Sequence, residues 1–425
     1  MKHSATLAVQ LAEAARIVCR VAAGHSLAEE LAPARDGGIR ESRAALIDLT
    51  HGTLRRYGRV QAIVACLSRR GRPDALVEAL LWCSLYALES GRHAEHTVVD
   101  ESVKAAGLLE RWPAKGYVNA LLRAFLRERS TIEARLERER EAKYQHPQWW
   151  IELLRNAYPA AWEAVLAAGN AHPPMGLRVN YRRTEIDEYQ ARLTSEGIAA
   201  RRCGGQALLL ERPLPVERLP GFDAGEVSVQ DPGAQRAAHC LDLHSGQRVL
   251  DACAAPGGKA AHILELADVA LTALDIDAAR AARIAPNLER LGLAASVLVG
   301  DASHPEQWWD GRPYQRILAD VPCSASGIVR RRPDTKWLRR ASDLVAFAER
   351  QQLLLQALWR LLAPGGKLLY ATCSLFPQEN DAVLEAFIAG ERTARRLSLT
   401  DGAPAQWLPD AEHDGFYYAL IAKQA

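Results

Sequence analysis

Two cysteines in this sequence sit where nucleophilic chemistry is feasible, in Asp320-Val321-Pro322-Cys323 and in Thr372-Cys373-Ser374. Each follows a short apolar run, 316–320 and 367–372, that reads as a buried strand. A thiol at the open end of a strand can be stabilised as the thiolate, the form that attacks carbon. Spacing alone leaves open which of the two attacks. A lone buried cysteine is most often a small core hydrophobe, and Cys19, Cys66, Cys83, Cys203 and Cys240 are read that way. The eight cysteines are scattered without a CxxC pair, so neither a zinc site nor a disulfide scaffold is expected.

A second constellation lies upstream, where residues 249–262 read VLDACAAPGGKAAH. Asp251 would end a strand, and Gly257 and Gly258 would form a turn into a helix. There the backbone can approach a nucleotide-like cofactor closely. The run is not GxGxxG, which weakens a dinucleotide reading, and a bare Gly-Gly turn is as often purely structural. Asp275 closes the next strand, 17 residues after Gly258, where an acid can accept ribose hydroxyls. Asp277 beside it suits a helix cap. Asp301 and Asp320 follow the next two strands. Asp251, Asp275, Asp301, Asp320 and the Thr372-Cys373 pair therefore share one edge of a sheet, the edge at which such folds bind ligands.

These residues require a frame that sets strand ends side by side. Strands expected at 248–251, 270–275, 296–300, 316–320 and 367–372 alternate with helices at about 259–267, 278–291 and 343–362, the last stopped by Pro364-Gly365-Gly366. That alternation implies a doubly wound parallel α/β sheet covered on both faces. Residues 1–143 carry helical periodicity instead, beginning with Leu7, Leu11, Ala14, Val18 and Val21 on one face. A break near Pro33–Gly38 precedes a long helix over 39–70. Pro73 would open another over 74–90, and more follow over 97–106 and 113–128. The alternating charges of 131–143 suggest an exposed helix or linker. Between these parts, the helical start His146-Pro147-Gln148-Trp149-Trp150, a short strand at 177–180 and a loop at 213–220 suggest a small α+β domain. The expected layout is an all-α domain over 1–143, a connecting α+β domain over 144–230 and the α/β domain over 231–425.

With 425 residues, 48% hydrophobic and 24% charged, the chain is globular rather than disordered or fibrous. No apolar run reaches the ~18–20 residues of a membrane span. Glu13, Arg16 and Arg20 interrupt any signal sequence, so a cytoplasmic protein with reduced thiols is expected. The net charge of +2 announces no nucleic-acid partner, yet it is an average. Residues 1–128 hold 18 Lys/Arg against 14 Asp/Glu, and the remainder is net −2. Within that remainder IVRRRPDTKWLRR (328–340) sets six basic residues against Asp334, with Trp337 among them. Such a run is usually a solvated face. Its position directly after DVPC favours phosphate contact, with Trp337 stacking on a splayed base.

In order and spacing, DACAAPGGK (251–259), DID (275–277), GDA (300–302), DVPCSASG (320–327) and TCS (372–374) resemble the bacterial RNA cytosine-C5 methyltransferases of the RsmB/NOP family. GTLRR (52–56) is similar to that family's NusB-like helical domain, so the resemblance covers nearly the whole chain. It implies a Rossmann-like class I methyltransferase domain that wraps S-adenosylmethionine with Cys253, Ala254, Ala255, Pro256, Gly257, Gly258 and Lys259. It further implies Asp275 on the ribose, Asp301 on the adenine side, and Asp320 near both cofactor and base. Cys373 is the implied nucleophile, Cys323 the helper in product release, and no metal is involved. The implied partner is 16S ribosomal RNA, with contacts from Arg55 and Arg56 in the helical domain and from Arg330, Arg331, Arg332, Lys336 and Trp337. Such chemistry needs a thiolate because addition at carbon 6 of cytosine makes carbon 5 nucleophilic toward a sulfonium methyl. The base must also be unpaired or flipped. A small-molecule methyltransferase has no use for two strand-end cysteines, and a dehydrogenase would show GxGxxG. A non-catalytic NusB-like RNA-binding or antitermination factor would leave Cys323 and Cys373 without a task.

Overall fold

Leu11, Ala14, Ala15, Val18 and Val21 line the buried side of a helix over Leu7–Ala22, as their spacing requires. The computed structural model that shows this describes residues 6–32, 40–68 and 71–424, the side chains of 40–42 excepted. Its contacts form two units. One holds the chain up to Ala171 together with Val329–Ala341; the other holds His172–Ile328 and Ser342–Ala425.

The first unit is all helical. Its central helix, Ala75–Ser90, is buried at Val77 and at every position from Ala79 to Leu88, so its apolar run is the middle of the core. Asp74 accepts hydrogen bonds from the N–H groups of Leu76 (3.1 Å) and Val77 (3.3 Å). Asp74 therefore caps this helix, and Pro73 lies outside it rather than opening it. The single helix expected over 39–70 is instead two, Arg40–Arg55 and Tyr57–Leu67, parted at Arg56. The break expected at 33–38 lies outside the described residues. The charged stretch 131–143 is no linker. The end of the helix Lys115–Leu136 and a short helix over Arg140–Tyr144 occupy it, and Ile132, Leu136 and Ala142 are buried in the core between the charges.

The second unit contains two sheets. The smaller is antiparallel, with strands β1 (Met175–Val179), β2 (Ala200–Arg202), β3 (Ala207–Leu210) and β4 (Val227–Val229) in the order β2-β3-β1-β4. A helix over Ile186–Ser195 buries Ile186, Tyr189 and Leu193 against Leu177, Val179, Leu208 and Leu210 of this sheet. Residues 144–230 comprise the helices Gln148–Ala157 and Trp162–Asn170 followed by this small sheet and its helix.

The larger sheet has eight strands: β5 (Arg248–Asp251), β6 (Ala270–Asp275), β7 (Ser296–Val299), β8 (Tyr314–Asp320), β9 (Leu362–Thr372), β10 (Ala394–Leu397), β11 (Gln406–Trp407) and β12 (Phe416–Lys423). Their order is β10-β12-β9-β8-β5-β6-β7, with β11 on β12. β5 to β9 are parallel, and β12 pairs antiparallel with β9. The strand order reverses between β5 and β8, and crevices at such switch points hold ligands. Alternate residues face opposite layers: Val249, Leu271, Leu318 and Leu369 pack with Ile263 and Leu288, whereas Leu250, Leu274, Ile317 and Leu368 pack with Leu354 and Leu358. The five expected strands are all present. The helix expected over 278–291 is split into Ala278–Ala281 and Ile284–Leu291, the second carrying Pro286 in its first turn. No described helix is long and apolar enough to cross a membrane.

A buried ion pair binds the two sheets of this unit. Arg178 of β1 donates to Glu265 through Nε (2.8 Å) and Nη2 (2.7 Å), and through Nη1 to the Gly258 carbonyl (2.9 Å) and to Gln230 Oε1. Neither Arg178 nor Glu265 exposes its side chain. The planar fork suits this arrangement because it presents all its donors in fixed directions. One guanidinium thereby reaches both ends of the helix Gly258–Leu266. Arg178→Met is expected to lower stability by about 3–5 kcal/mol, since it strands a buried carboxylate, and Arg178→Met combined with Glu265→Leu should recover much of the loss. Denaturant midpoints of the single and double variants test this; an equal or larger loss in the double variant would count against it.

Candidate active site

The carboxyl ends of β5, β6 and β8 bring Asp251, Asp275 and Asp320 to one edge of the sheet, as expected from sequence. Asp275 is only 3% exposed and accepts from Ala255 N (3.0 Å) and Asp277 N (3.1 Å). Asp277 in turn caps the following helix through the N–H groups of Ala279 (2.8 Å) and Arg280 (3.0 Å), which leaves Asp275 to the site. Arg280 Nη2 donates to the Ala255 carbonyl at 3.1 Å, so Ala255 in the turn is held from both sides. Gly257 has φ +97° and begins the helix, a backbone conformation that favours glycine. At Gly258 an added Cβ would meet only Gln230 Nε2, at 3.8 Å, so space lies open before this turn.

Asp251 is fully buried, and neither carboxylate oxygen has a well-formed partner; the Cys253 N–H offers only a weak one. Burial, then the charge of Asp320, pushes Asp251 up to about 7. A buried acceptor without donors at a glycine turn fits a ligand that carries cationic or N–H groups. The residues present are therefore compatible with S-adenosylmethionine. The Cys253 thiol is pushed well up by burial and then by Asp320, Asp251 and Asp275, which keeps it from acting as a thiolate. Asp301, two residues beyond β7, spends Oδ1 on its own turn through Ser303 N (2.9 Å) and Ser303 Oγ (2.6 Å).

Lys259 Nζ donates to Asp320 Oδ2 at 2.5 Å. Burial pulls the Lys259 ammonium down, but the Asp320 carboxylate, with Cys373 and Asp251 beside it, holds its pKa above the ordinary value. Cys323 Sγ and Cys373 Sγ lie 3.4 Å apart. The Cys323 thiol is pushed well above its usual range, first by its hydrogen bond to Cys373, then by burial and by the charges of Cys373 and Glu379. The two cysteine loops are also joined through backbone, Gly327 N donating to Cys373 O at 2.8 Å. Glycine is required at 327 because a Cβ there would stand 2.2 Å from the Gly415 carbonyl oxygen.

Sequence reasoning missed the polar residues behind this pair. Glu379, fully buried, accepts from Ser324 N (2.7 Å) and Ser374 Oγ (2.5 Å), and Gln351 Nε2 reaches the Pro322 carbonyl at 2.9 Å. Arg178 was missed as well. The one local signal for it was a charged residue inside an otherwise apolar strand, and Glu379 in FPQEN had none.

The basic run corrects an expectation. Residues Val329–Ala341 belong to the helical unit, and Arg330 (2% exposed) and Lys336 (0%) are buried in it. Lys336 Nζ donates to the carbonyls of Arg55 (3.1 Å) and Gln145 (2.9 Å) and to Asn170 Oδ1 (2.8 Å). Trp337 Nε1 donates to the Leu54 carbonyl (3.0 Å), with its ring edge-on to Tyr57. Arg55 donates to the Arg330 carbonyl through Nε (3.0 Å) and Nη2 (2.8 Å), and Asp334 accepts from Leu27 N (3.0 Å). Arg55, Arg330, Lys336 and Trp337 therefore hold the helical unit together instead of facing RNA. A desolvated ammonium needs oxygen partners, and this chain supplies three. Arg56 pairs with Glu89 at 3.3 Å, Arg331 is half-buried, and Arg332 is exposed.

The chain matches the family model described as 16S rRNA methyltransferase RsmB/F over residues 238–422, the ferredoxin-like domain of RsmF/B-like methyltransferases over 146–217, and the NusB family over 9–127. It is similar to the ribosomal RNA small subunit methyltransferase B of Vibrio cholerae, 42% identical across 98% of each chain. To that of Pseudomonas syringae it is 43% identical across 92% of this chain and 90% of the relative. Among solved structures it is similar in fold to PH0851, with a TM-score of 0.80 and 23% identity over 99% of this chain and 100% of that one. A methyltransferase homolog protein from Pyrococcus horikoshii matches with a TM-score of 0.59 and 25% identity, over 67% of this chain and 97% of that one.

Asp251 gives the ligand-free site a pH dependence. Between its unfolded value of 3.8 and its folded value of about 7, the folded chain holds a proton that the unfolded chain has released. Stability from this group is therefore present below pH ~4 and lost as pH rises through about 7. Asp251→Asn removes the slope, so its thermal midpoint should gain on that of the unmodified chain as pH rises. Parallel profiles would mean that the buried carboxyl carries no such proton.

Proposed function

Since the chain belongs to the 16S rRNA methyltransferase RsmB/F family, we propose that it methylates carbon 5 of a cytosine in small-subunit ribosomal RNA through a covalent cysteine adduct. The observation that carries this reading is the pair of sulfurs 3.4 Å apart at the ends of adjacent parallel strands, beside the Lys259–Asp320 pair. S-adenosylmethionine, bound at the turn 253–259 with Asp275 and Asp301, supplies an electrophilic methyl group. Carbon 5 of cytosine is too weak a nucleophile to accept it directly. Cys373 therefore adds to carbon 6, and the resulting enamine makes carbon 5 nucleophilic.

Cys323, with its sulfur 3.4 Å from that of Cys373, is fitted to the later stage. A solvent base takes the carbon 5 proton, and the electrons of that bond re-form the carbon 5–carbon 6 double bond. Cys373 leaves with the pair of the sulfur–carbon 6 bond, protonated by Cys323 as the product departs. Asp320, hydrogen-bonded by the Lys259 ammonium, lies where this pair can meet the ring and offset charge as the thiolate adds. The target base must reach this edge from outside a duplex, unpaired or flipped. Phosphate contacts under this reading fall to exposed Arg332, with half-buried Arg331 and the Glu89-paired Arg56, and not to buried Arg330 and Lys336. The carriage of both cysteines on one ligand edge is what a non-catalytic RNA-binding protein would have no use for.

Unmodified 16S RNA and labelled S-adenosylmethionine test the proposal. Cys373→Ala is expected to lower methyl transfer by about a thousandfold or more while leaving cofactor binding intact. Cys323→Ala is expected to accumulate a protein–RNA adduct that survives denaturing electrophoresis. An adduct in Cys373→Ala instead would exchange the two roles, and label on protein or on a base other than cytosine would refute the reaction.

A further inference from the structure

Behind the two sulfurs lies a buried polar cluster that the proposed reaction does not use. Its centre is Glu379, in the turn after β9. Its Oε1 accepts from Ser324 N at 2.7 Å and, more weakly, from Gln351 Nε2 at 3.4 Å. Its Oε2 accepts from Ser374 Oγ at 2.5 Å. Ser324 is the residue after Cys323, and Ser374 is the residue after Cys373. One carboxylate therefore grips both cysteine loops, each one residue from its sulfur.

The hydroxyls around it run in one direction. Ser324 Oγ donates to Ser326 Oγ (3.2 Å), Ser326 and Ser374 are hydrogen-bonded (3.1 Å), and Ser374 donates to Glu379. Ser326 Oγ also accepts from Leu375 N at 2.7 Å, and Ser374 Oγ from Phe376 N at 3.1 Å. Ser324, Ser326, Ser374 and Glu379 are all at most 1% exposed. A buried carboxylate with this many donors is costly to assemble and costly to break. Its backbone is fixed in turn by Tyr370, whose hydroxyl donates to the Glu379 carbonyl at 2.6 Å.

We propose that Glu379 is the positioning residue of the two-cysteine centre, its carboxylate setting the distance and orientation of Cys323 relative to Cys373 by clamping Ser324 and Ser374 together. Proton exchange between sulfurs falls steeply with distance, so a brace of this kind matters to turnover without touching substrate or cofactor. The inference rests on the two-cysteine reading for its catalytic consequence, while the clamp itself is a geometric statement that can be tested without RNA.

The probe is diamide, which takes two electrons and two protons from a thiol pair, becoming the hydrazine as the thiols form a disulfide. The purified full-length chain should form a Cys323–Cys373 disulfide readily. Glu379→Ala should slow this crosslink by about tenfold or more, with kcat falling by a similar factor and KM for S-adenosylmethionine staying within about twofold. Glu379→Gln can accept from Ser324 N with its carbonyl and donate to Ser374 Oγ with its amide. It should therefore restore most of the crosslinking rate. A folded Glu379→Ala variant that crosslinks at the unmodified rate would overturn the proposal even if methylation is confirmed. Slowed crosslinking in a chain that methylates no RNA would leave the brace standing and remove the proposed reaction. If Glu379→Ala fails to fold, Ser374→Ala decides: it opens one arm of the clamp only, and an unchanged crosslinking rate in it would overturn the proposal.

Discussion

Parallel pairing of β8 with β9, in a register that sets Asp320 opposite Ala371, is the constraint from which the centre follows. Adjacent parallel strands leave the sheet at the same edge, so the loops they feed must start side by side. Val321 N still bonds the Ala371 carbonyl at 3.1 Å, carrying the ladder one step past the end of β8. From there two residues lead to Cys323 and two to Cys373. A slip of one residue would turn every side chain of β9 to the opposite face and bury the thiol in the wrong layer. The register is protected on both flanks, by β5 beside β8 and by the long antiparallel strand β12 beside β9.

The same edge concentrates negative charge. Asp251 and Asp320 lie beside one ammonium, Lys259, while Asp275 at the neighbouring strand end lies 3.7 Å from Arg280 Nη2. Gathering them is unfavourable in the ligand-free chain, and the upward shift of Asp251 registers that cost. A site of this kind is prepared for a cation before the cation arrives. The acids also account for the near-zero net charge of +2, which conceals a mildly basic helical region and says little about affinity for RNA.

Arg178 and Lys336 show how charged groups are spent on architecture. Each is buried, and each meets acceptors distant in sequence: Glu265 for Arg178, and the Arg55 carbonyl for Lys336. Arg178 ties a strand of the small sheet to the helix that follows the Gly257–Gly258 turn. Lys336 and Trp337 tie a late segment of the chain into a core built from its first third. A basic run adjacent to a catalytic motif has the composition of a nucleic-acid surface, and only the burial of its members reveals otherwise. Arg332, within the same run, is exposed.

Local pattern determined much of this protein. Apolar runs and their spacing placed the five parallel strands, and the residues at their ends, Asp251, Asp275, Asp301, Asp320 and Cys373, follow from strand length alone. Helical periodicity located the all-α region but not its joints. A cap such as Asp74, or a helix boundary such as Arg56, depends on one or two residues that periodicity averages over. The tertiary structure decided what depends on partners far away in the chain. It set the sulfur–sulfur distance, enlisted Glu379 as the link between two loops, and turned Arg330 and Lys336 inward. Hydrophobic pattern is written residue by residue, whereas the fate of a polar side chain is set by which acceptors folding brings within 3 Å of it, and no window of sequence contains that information.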